Sequence, residues 1–432
     1  MFPNDLWQTM CEIAPLRRYF VAPDYDQALT LLRRHLNFRL LQFTNENPVN
    51  HWRIPPGWIL DEAAIYRDGK CLYDASRHPN QVIALSLPFQ GTVTREVLRE
   101  HLHYDHRHDD WIPFHFRQMY RPWDRTWGFC VPKTFYDSLA PGEYEVRIRT
   151  KEYDGTLKVA EAVLPGRREE TIVFVAHLDH PAAANDDLAG VMAGVRLMQL
   201  LAAKPRRFTY RLVVVQEILG SEYYLNQLAL SGDRDRLLLG LFLEMLGSRT
   251  PHCLQRSFQG DTAMDWAMEA ALREAGEEFR AVPFRESVGN DEANWEAHGV
   301  PMPQLSRYPY PEYHSDRDDM SIIDPDRIEA SAQIALRAME KLEELFWVRK
   351  LFRGSYCASH PEYNLYIDPG QAAFADVPKE EIIRLRRLMD LIPIVMNQWQ
   401  AGELLARKLG LSATLVIDYL RQWVDKGLLE IL

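Results

Sequence analysis

The sequence predicts an α/β fold built on a mostly parallel sheet. Three observations carry that prediction. The runs ETIVFVAHLDH, YRLVVVQEILG and LLLGLFLEMLG read as buried strands, the stretch NDDLAGVMAGVRLMQLLAAK between the first two reads as a helix, and acids or imidazoles close each strand. Apolar strands alternating with helices form a sheet whose ligands sit beyond the carboxyl ends of its strands.

The elements justify themselves in order. Apolar residues recur at helical spacing through LWQTMCEIAPL and DYDQALTLLRRHLN, the second with Asp24 or Asp26 as its expected cap. From about His51 to residue 150 the texture changes to short alternating stretches broken by Pro and Gly, such as WRIPPGWILDEAAIYRDGKCLYD and QVIALSLPFQGTV, the mark of a β-rich module. It closes on GEYEVRIRTKEYDGTLKVAEAVLPG, two strands around a YDGT turn. The strand and helix alternation then begins at Glu170, with NDDLAG expected to be capped by Asn185. DTAMDWAMEAALREAG, GVPMPQL and DRIEASAQIALRAMEKLEELF complete this domain near residue 350. After a loop over about 353–372 come EEIIRLRRLMDLIPIVMNQ and two helices joined through KLGLSA, while KGLLEIL reads as the start of a wing. The expected division is an α/β domain over 1–48 and 150–352, an inserted β-rich domain over 49–149, and a winged helix over 365–432.

Bulk properties narrow the function class. At 432 residues the chain is long enough for two or three domains, and 47% hydrophobic with 26% charged residues is ordinary globular usage. No run of about 18 apolar residues occurs, and the N-terminus lacks the basic-then-apolar order of a signal peptide, so no membrane partner and a cytoplasmic residence are expected. Five scattered cysteines without a CxxC pair exclude a cysteine zinc knuckle and are expected to be buried thiols. A formal net charge of −11 opposes nucleic-acid binding, and Arg407, Lys408 and Arg421 are few cations to overcome it. The winged helix is therefore expected to serve protein interaction, with self-association through either accessory module left open.

The chemistry gathers at the strand ends. His177 and Asp179 leave the first strand with His180 beside them; an imidazole there is a natural zinc ligand, and the aspartate can hold its other nitrogen. Asp186 and Asp187 precede the helix, Glu217 follows VVVQ and Glu244 follows GLFL. A carboxylate closing an apolar strand is costly to bury unless it meets a cation, and such ends recurring in one sheet point to a shared one. His314 sits in the proline-stiffened loop YPYPEYHSDRDD, between Tyr310, Tyr313 and Ser315. By contrast His252 and His298 have no such context, and His103, His106 and His108 read as a solvated segment of the β module.

In order, His-x-Asp, Asn-Asp-Asp-x-Ala-Gly, Glu with a following Gly-Ser, a strand-end acid and Tyr-His-Ser resembles the di-zinc exopeptidases, which include leucyl aminopeptidases, glutamate carboxypeptidase and glutaminyl cyclases. That likeness covers roughly residues 165 to 350. WRIPPGWILDEAAI, WGFC, HPAAANDDLAG, EILGS and YPEYHS further resemble a bacterial aminopeptidase-like family with an inserted β domain and a C-terminal winged helix. The resemblance implies a zinc-exopeptidase-like mixed sheet flanked by helices. It implies one zinc on His177, Asp186 and Glu244 and a second on Asp186, Glu217 and His314, with Asp179 orienting His177 and Tyr310 and Tyr313 near the substrate. Two departures qualify it. Gln216 stands where active members carry the glutamate that serves as general base, which leaves Glu222, Asp291 and Glu292 as candidate replacements. His180 is a rival or additional ligand to His177, so one or two ions are expected. The expected function is a zinc-dependent aminopeptidase-like hydrolase of a small peptide or amide. A single-metal cyclase or acyltransferase and a non-catalytic ligand-sensing regulator are the alternatives.

Overall fold

The structure is a computed structural model that describes residues 1–368 and 377–432. Residues 369–376, of which 369–372 belong to the expected 353–372 loop and all to the expected 365–432 domain, lie outside the described residues. The chain divides into two compact units, Met1–Ala338 and Met339–Leu432.

The first unit is organised by a mixed eight-stranded sheet flanked by helices. Its spatial order is Arg39–Phe43, Leu157–Leu164, Thr209–Val215, Thr171–His177, Leu237–Glu244, Gln304–Ser306, His252–Gln255 and Phe279–Val282. Thr171–His177 runs parallel to both of its neighbours, and Leu237–Glu244 runs parallel to Gln304–Ser306. Antiparallel pairings enter on either side of this parallel centre, at Leu157–Leu164 and at His252–Gln255. All seven residues of Thr171–His177 are buried, which is why the strand reads as an unbroken β-branched and aromatic run rather than an alternation. The register sets Val215 opposite His177 and Phe242 opposite Val175. His177, Glu217 and Glu244 therefore leave the sheet at the same edge.

A second, antiparallel sheet holds Lys70–Asp74, Gly57–Arg67, Glu143–Tyr153 and Phe89–Thr94 in that order. The two strands expected around the YDGT turn both form, but they do not pair with each other. Glu143–Tyr153 joins this smaller sheet and Leu157–Leu164 joins the large one.

Local capping differs from expectation in two places. Helix Pro23–Leu32 starts on Pro23 after Ala22 without a side-chain cap, and Asp24 accepts instead from the Arg17 backbone N at 2.7 Å. Asn185 does not cap its helix either. Asn185–Ala189 is a π-helical turn leading into helix Gly190–Leu201, and the Asn185 amide oxygen accepts from Gly247 N at 2.8 Å and Ser248 N at 3.1 Å. The cap comes from far along the chain: the Asp318 carboxylate accepts from the backbone N of Ala184, Asn185 and Asp186 at 3.2, 2.6 and 3.0 Å. A Cβ on Gly190 would lie 2.3 Å from the Leu243 carbonyl oxygen, so only glycine lets this helix start against the strand.

The second unit contains the antiparallel strands Gln400–Ala401, Trp347–Lys350 and Leu429–Ile431 with helices Lys379–Val395, Gly402–Leu409 and Ala413–Asp425. Gly410, at φ +64°, ends one helix, and the Ser412 hydroxyl caps the next by accepting from Leu415 N at 3.2 Å. Of the five thiols, Cys130 and Cys253 are buried as expected, but Cys11, Cys71 and Cys357 are exposed on outward positions of their segments. Among the described residues no helix is long and apolar enough to cross a membrane.

Candidate metal centre

Asp186 is the hub of the strand-end cluster. One of its oxygens, Oδ1, lies 3.2 Å from His177 Nε2, which is also 3.7 Å from Glu244 Oε1. Its other oxygen, Oδ2, lies 3.0 Å from His180 Nδ1 and 3.1 Å from His314 Nε2. His180 Nε2 is in turn 3.4 Å from Glu217 Oε2. The six side chains singled out by the sequence as ligand candidates thus form one cluster around a single carboxylate, and both His177 and His180 take part. His177, His180, Asp186 and Glu244 are essentially fully buried, whereas the His314 side chain keeps 21% exposure and Glu217 13%. Access is therefore from the His314 and Glu217 side.

These atoms are close without hydrogen-bonding one another. Both ring nitrogens of His177, His180 Nδ1, His314 Nε2 and both oxygens of Asp186 are buried without a hydrogen-bond partner. Buried polar atoms are rarely left so, and one standing explanation is an ion between them. Two ligand triplets, His177–His180–Asp186 and Asp179–His180–Glu217, bring their atoms within 4.8 Å of one another among the described residues. Imidazole nitrogens with carboxylate oxygens are a donor set that zinc accepts. The residues fit such an ion.

Several neighbours hold the ligands in place. Asp179 lies 3.5 Å from His177 Nδ1 and accepts from Glu217 N at 2.7 Å, so one carboxylate orients two ligand candidates. Glu244 accepts from Asn290 Nδ2 at 2.6 Å and from Gln304 Nε2. Asp187, fully buried, accepts from His177 N, Gly190 N and Met245 N at 3.2, 3.1 and 2.7 Å and ties strand, helix and neighbouring strand together. Asn290, Gln304 and Asp318 carried no signal in the sequence, because each acts from a separate segment. Ile218, Met245 and His314 have φ of +61°, +54° and +57°. Non-glycine residues in this region are strained, and strain of this kind gathers at functional sites.

The remaining candidates fall into distinct places. Gln216 is buried and donates from Nε2 to Phe20 O at 3.1 Å. Glu222 accepts from Asn50 and Asn294 at 3.0 and 2.9 Å, and Glu292 from Arg285, Gln255 and Asn290 N at 3.1, 3.1 and 2.8 Å. Asp291 is fully buried; its Oδ1 accepts from Ile218 N at 3.0 Å, while Oδ2 has no partner. Tyr310 donates its hydroxyl to Asp318 at 2.6 Å, and the Tyr313 ring stacks on His314 with centroids 3.9 Å apart. His252 is a buried packing residue bonded to Ser331, and His108 pairs with Asp105, so neither joins the cluster.

Electrostatics follow from this burial. Burial by itself would depress the His177 and His180 imidazoles, but Asp179, Asp186 and Glu244 around the first, and Asp186 and Glu217 around the second, outweigh it and hold both well above the usual histidine range. Burial pushes Glu244 up to about 7, only partly offset by His177. Burial also opposes ionisation of Asp186, yet the facing imidazoles hold it well below the usual range. At neutral pH, protons on these groups compete with a metal, which needs neutral imidazole and ionised carboxylate. Zinc binding is therefore expected to release protons near pH 7 and to weaken as pH falls. Calorimetry in buffers of different ionisation enthalpy measures the release; enthalpies independent of buffer would contradict it.

The fold has known counterparts. A crystal structure of a Clostridium acetobutylicum protein assigned by name only as a peptidase superposes with TM-score 0.74 at 20% identity, over 99% of this chain and 96% of that one. A zinc aminopeptidase from Bacillus subtilis superposes with TM-score 0.60 at 12% identity, over 79% and 96% of the two chains. The fold is thus that of the zinc aminopeptidases. In sequence, a Clostridium acetobutylicum protein named for polysaccharide biosynthesis and an aminopeptidase-like domain is 24% identical over 348 residues, 79% of this chain and 78% of that one. Residues 7–345 match the family described as Domain of unknown function (DUF4910), and the chain belongs to that family.

Proposed function

We propose that this chain is a zinc-dependent aminopeptidase-like hydrolase of small peptides or amides. The observation that carries the reading is the set of buried imidazole and carboxylate atoms that converge on Asp186 without hydrogen-bonding one another. His177, Asp186 and Glu244 would hold one ion; Asp186, Glu217 and His314, joined by His180, would hold a second. Zinc at such a centre polarises a carbonyl and lowers the pKa of a bound water. Asp179 keeps the His177 ring in register. Gln216 cannot accept a proton, and its amide is already committed to Phe20 O. Asp291 is the best remaining base: its second oxygen is unpartnered, and burial raises its carboxyl to about 8, against the opposing field of His177. A base poised near neutrality suits proton transfer. Glu222 and Glu292, with both of their carboxylates engaged, fit a structural role.

The domain reading joins this proposal. The pairing of Arg39–Phe43 with Leu157–Leu164 supports an insertion over about 49–149, since the chain leaves the large sheet after one and re-enters at the other. The test is a panel of amino-acid amides and dipeptides assayed with zinc supplied and with chelator. Zinc-dependent release of a free amino acid is expected, with Asp291→Asn lowering kcat by about 100-fold or more while zinc content is retained. A zinc-loaded protein that turns over none of the panel would overturn the hydrolase reading.

A further inference from the structure

The smaller sheet's module does more than decorate the first unit, because a segment within it, between strands Phe89–Thr94 and Glu143–Tyr153, reaches the candidate metal centre at two points. Residues 112–116 lie along the His314 loop: Phe114 N donates to His314 O at 2.8 Å, Ile112 N donates to Asp316 Oδ1 at 2.9 Å, and Asp316 N donates back to Ile112 O at 2.9 Å. The Phe114 ring meets His180 and His314 edge-on at 5.1 and 5.7 Å, and Phe116 meets His314 at 5.0 Å. Four residues later, Tyr120 donates its phenol hydrogen to Glu217 Oε2, the oxygen that also faces His180 Nε2. The Tyr120 ring is held edge-on by Phe20 at 5.2 Å and by Phe116 at 6.2 Å.

Glu217 needs such a partner. It lies beyond Gln216 at the end of strand Thr209–Val215 and precedes Ile218 at φ +61°, so its backbone is set by the sharp turn and by Asp179. Nothing in its own segment fixes the direction of its carboxylate. The phenol does so from the inserted module, across 97 residues of sequence.

We propose that Tyr120 is a positioning residue that fixes the Glu217 carboxylate for the second metal position, so that the inserted module completes the metal centre. This inference rests on the metal reading given above. Hydrogen-bond partners behind metal ligands typically govern affinity by about 10–100-fold. Tyr120→Phe keeps the ring and its packing on Phe20 and Phe116 while removing the donor.

The experiment is competition between the full chain and a chromophoric chelator for zinc, resolving two binding steps. Tyr120→Phe is expected to weaken one step by about 10–100-fold and leave the other within about twofold. Glu217→Gln is expected to weaken the same step, and the double variant to lose no more than Glu217→Gln alone, because the two groups act as one unit. A merely structural role for Tyr120 would instead shift both steps together or add to the Glu217→Gln loss, and either result overturns the inference. Two unchanged steps in Tyr120→Phe overturn it as well, while leaving the metal reading intact. No zinc binding by the wild-type chain overturns both.

Discussion

Asp186→Ala is expected to abolish tight zinc binding at both positions, the largest functional loss any single substitution in this chain should cause. Four-ligand zinc sites bind with about 10–16 kcal/mol, or about 3 kcal/mol per ligand, so each ion that loses a ligand should bind about 100-fold more weakly or worse. Most ligands belong to one position; Asp186 faces His177 through one oxygen and His180 and His314 through the other. His177→Ala is expected to weaken chiefly one step, and Asp186→Ala both. Equilibrium competition with a chelator separates these outcomes, and two intact steps in Asp186→Ala would refute the shared carboxylate. Asp186→Asn adds a control: it keeps the shape but removes the charge that three imidazoles face, and should lose nearly as much.

Asp318→Ala is expected to give the largest loss of stability. Its carboxylate accepts from three consecutive backbone donors at Ala184, Asn185 and Asp186 and from the Tyr310 hydroxyl. Removing it leaves several buried donors unsatisfied at about 1–3 kcal/mol each, a sum that partial relaxation should reduce to about 3–5 kcal/mol. Burial raises the Asp318 carboxyl to about 6, so these contacts hold a group whose ionised form is costly to bury. Urea unfolding of the first unit, followed by hydrogen exchange at those three amides, measures the effect. Zinc affinity is expected to fall with it, because the same bonds place the Asp186 backbone. Unchanged exchange at Asn185 and Asp186 in the variant would contradict this account.

Much of the fold was legible because its signals are local. Thr171–His177, Thr209–Val215 and Leu237–Glu244 are mostly apolar, and each ends on, or is followed at once by, a polar side chain that has no cheap place in a core. The same logic drew attention to His177, Glu217 and Glu244, while Asp186 was marked by its place before a helix and His314 by its proline-stiffened loop; the structure gathers all five into one cluster. What sequence did not reveal depends on contacts between distant segments. Asn185 looked like a helix cap because Ser, Asp and Asn usually act locally, but Asp318 performs that service from more than 130 residues away and frees Asn185 to hold Gly247 and Ser248. Tyr120 lies in a module whose own sequence carries only strand and turn signals, and its partner is 97 residues on. The YDGT turn misled for a related reason: a turn between two strands does not say that they share a sheet. The choice between His177 and His180 also had no local answer, since three residues of separation at a strand end place both rings on Asp186.

The central claim is that these side chains form a zinc centre, and zinc content is its most direct measure. The chain, purified without chelator and with zinc supplied, would be compared by elemental analysis with His177→Ala, His180→Ala and His314→Ala. The account predicts about two zinc ions per wild-type chain, as in other two-metal hydrolytic sites, with a loss in each variant. Wild-type protein that holds no stoichiometric zinc under these conditions would contradict it.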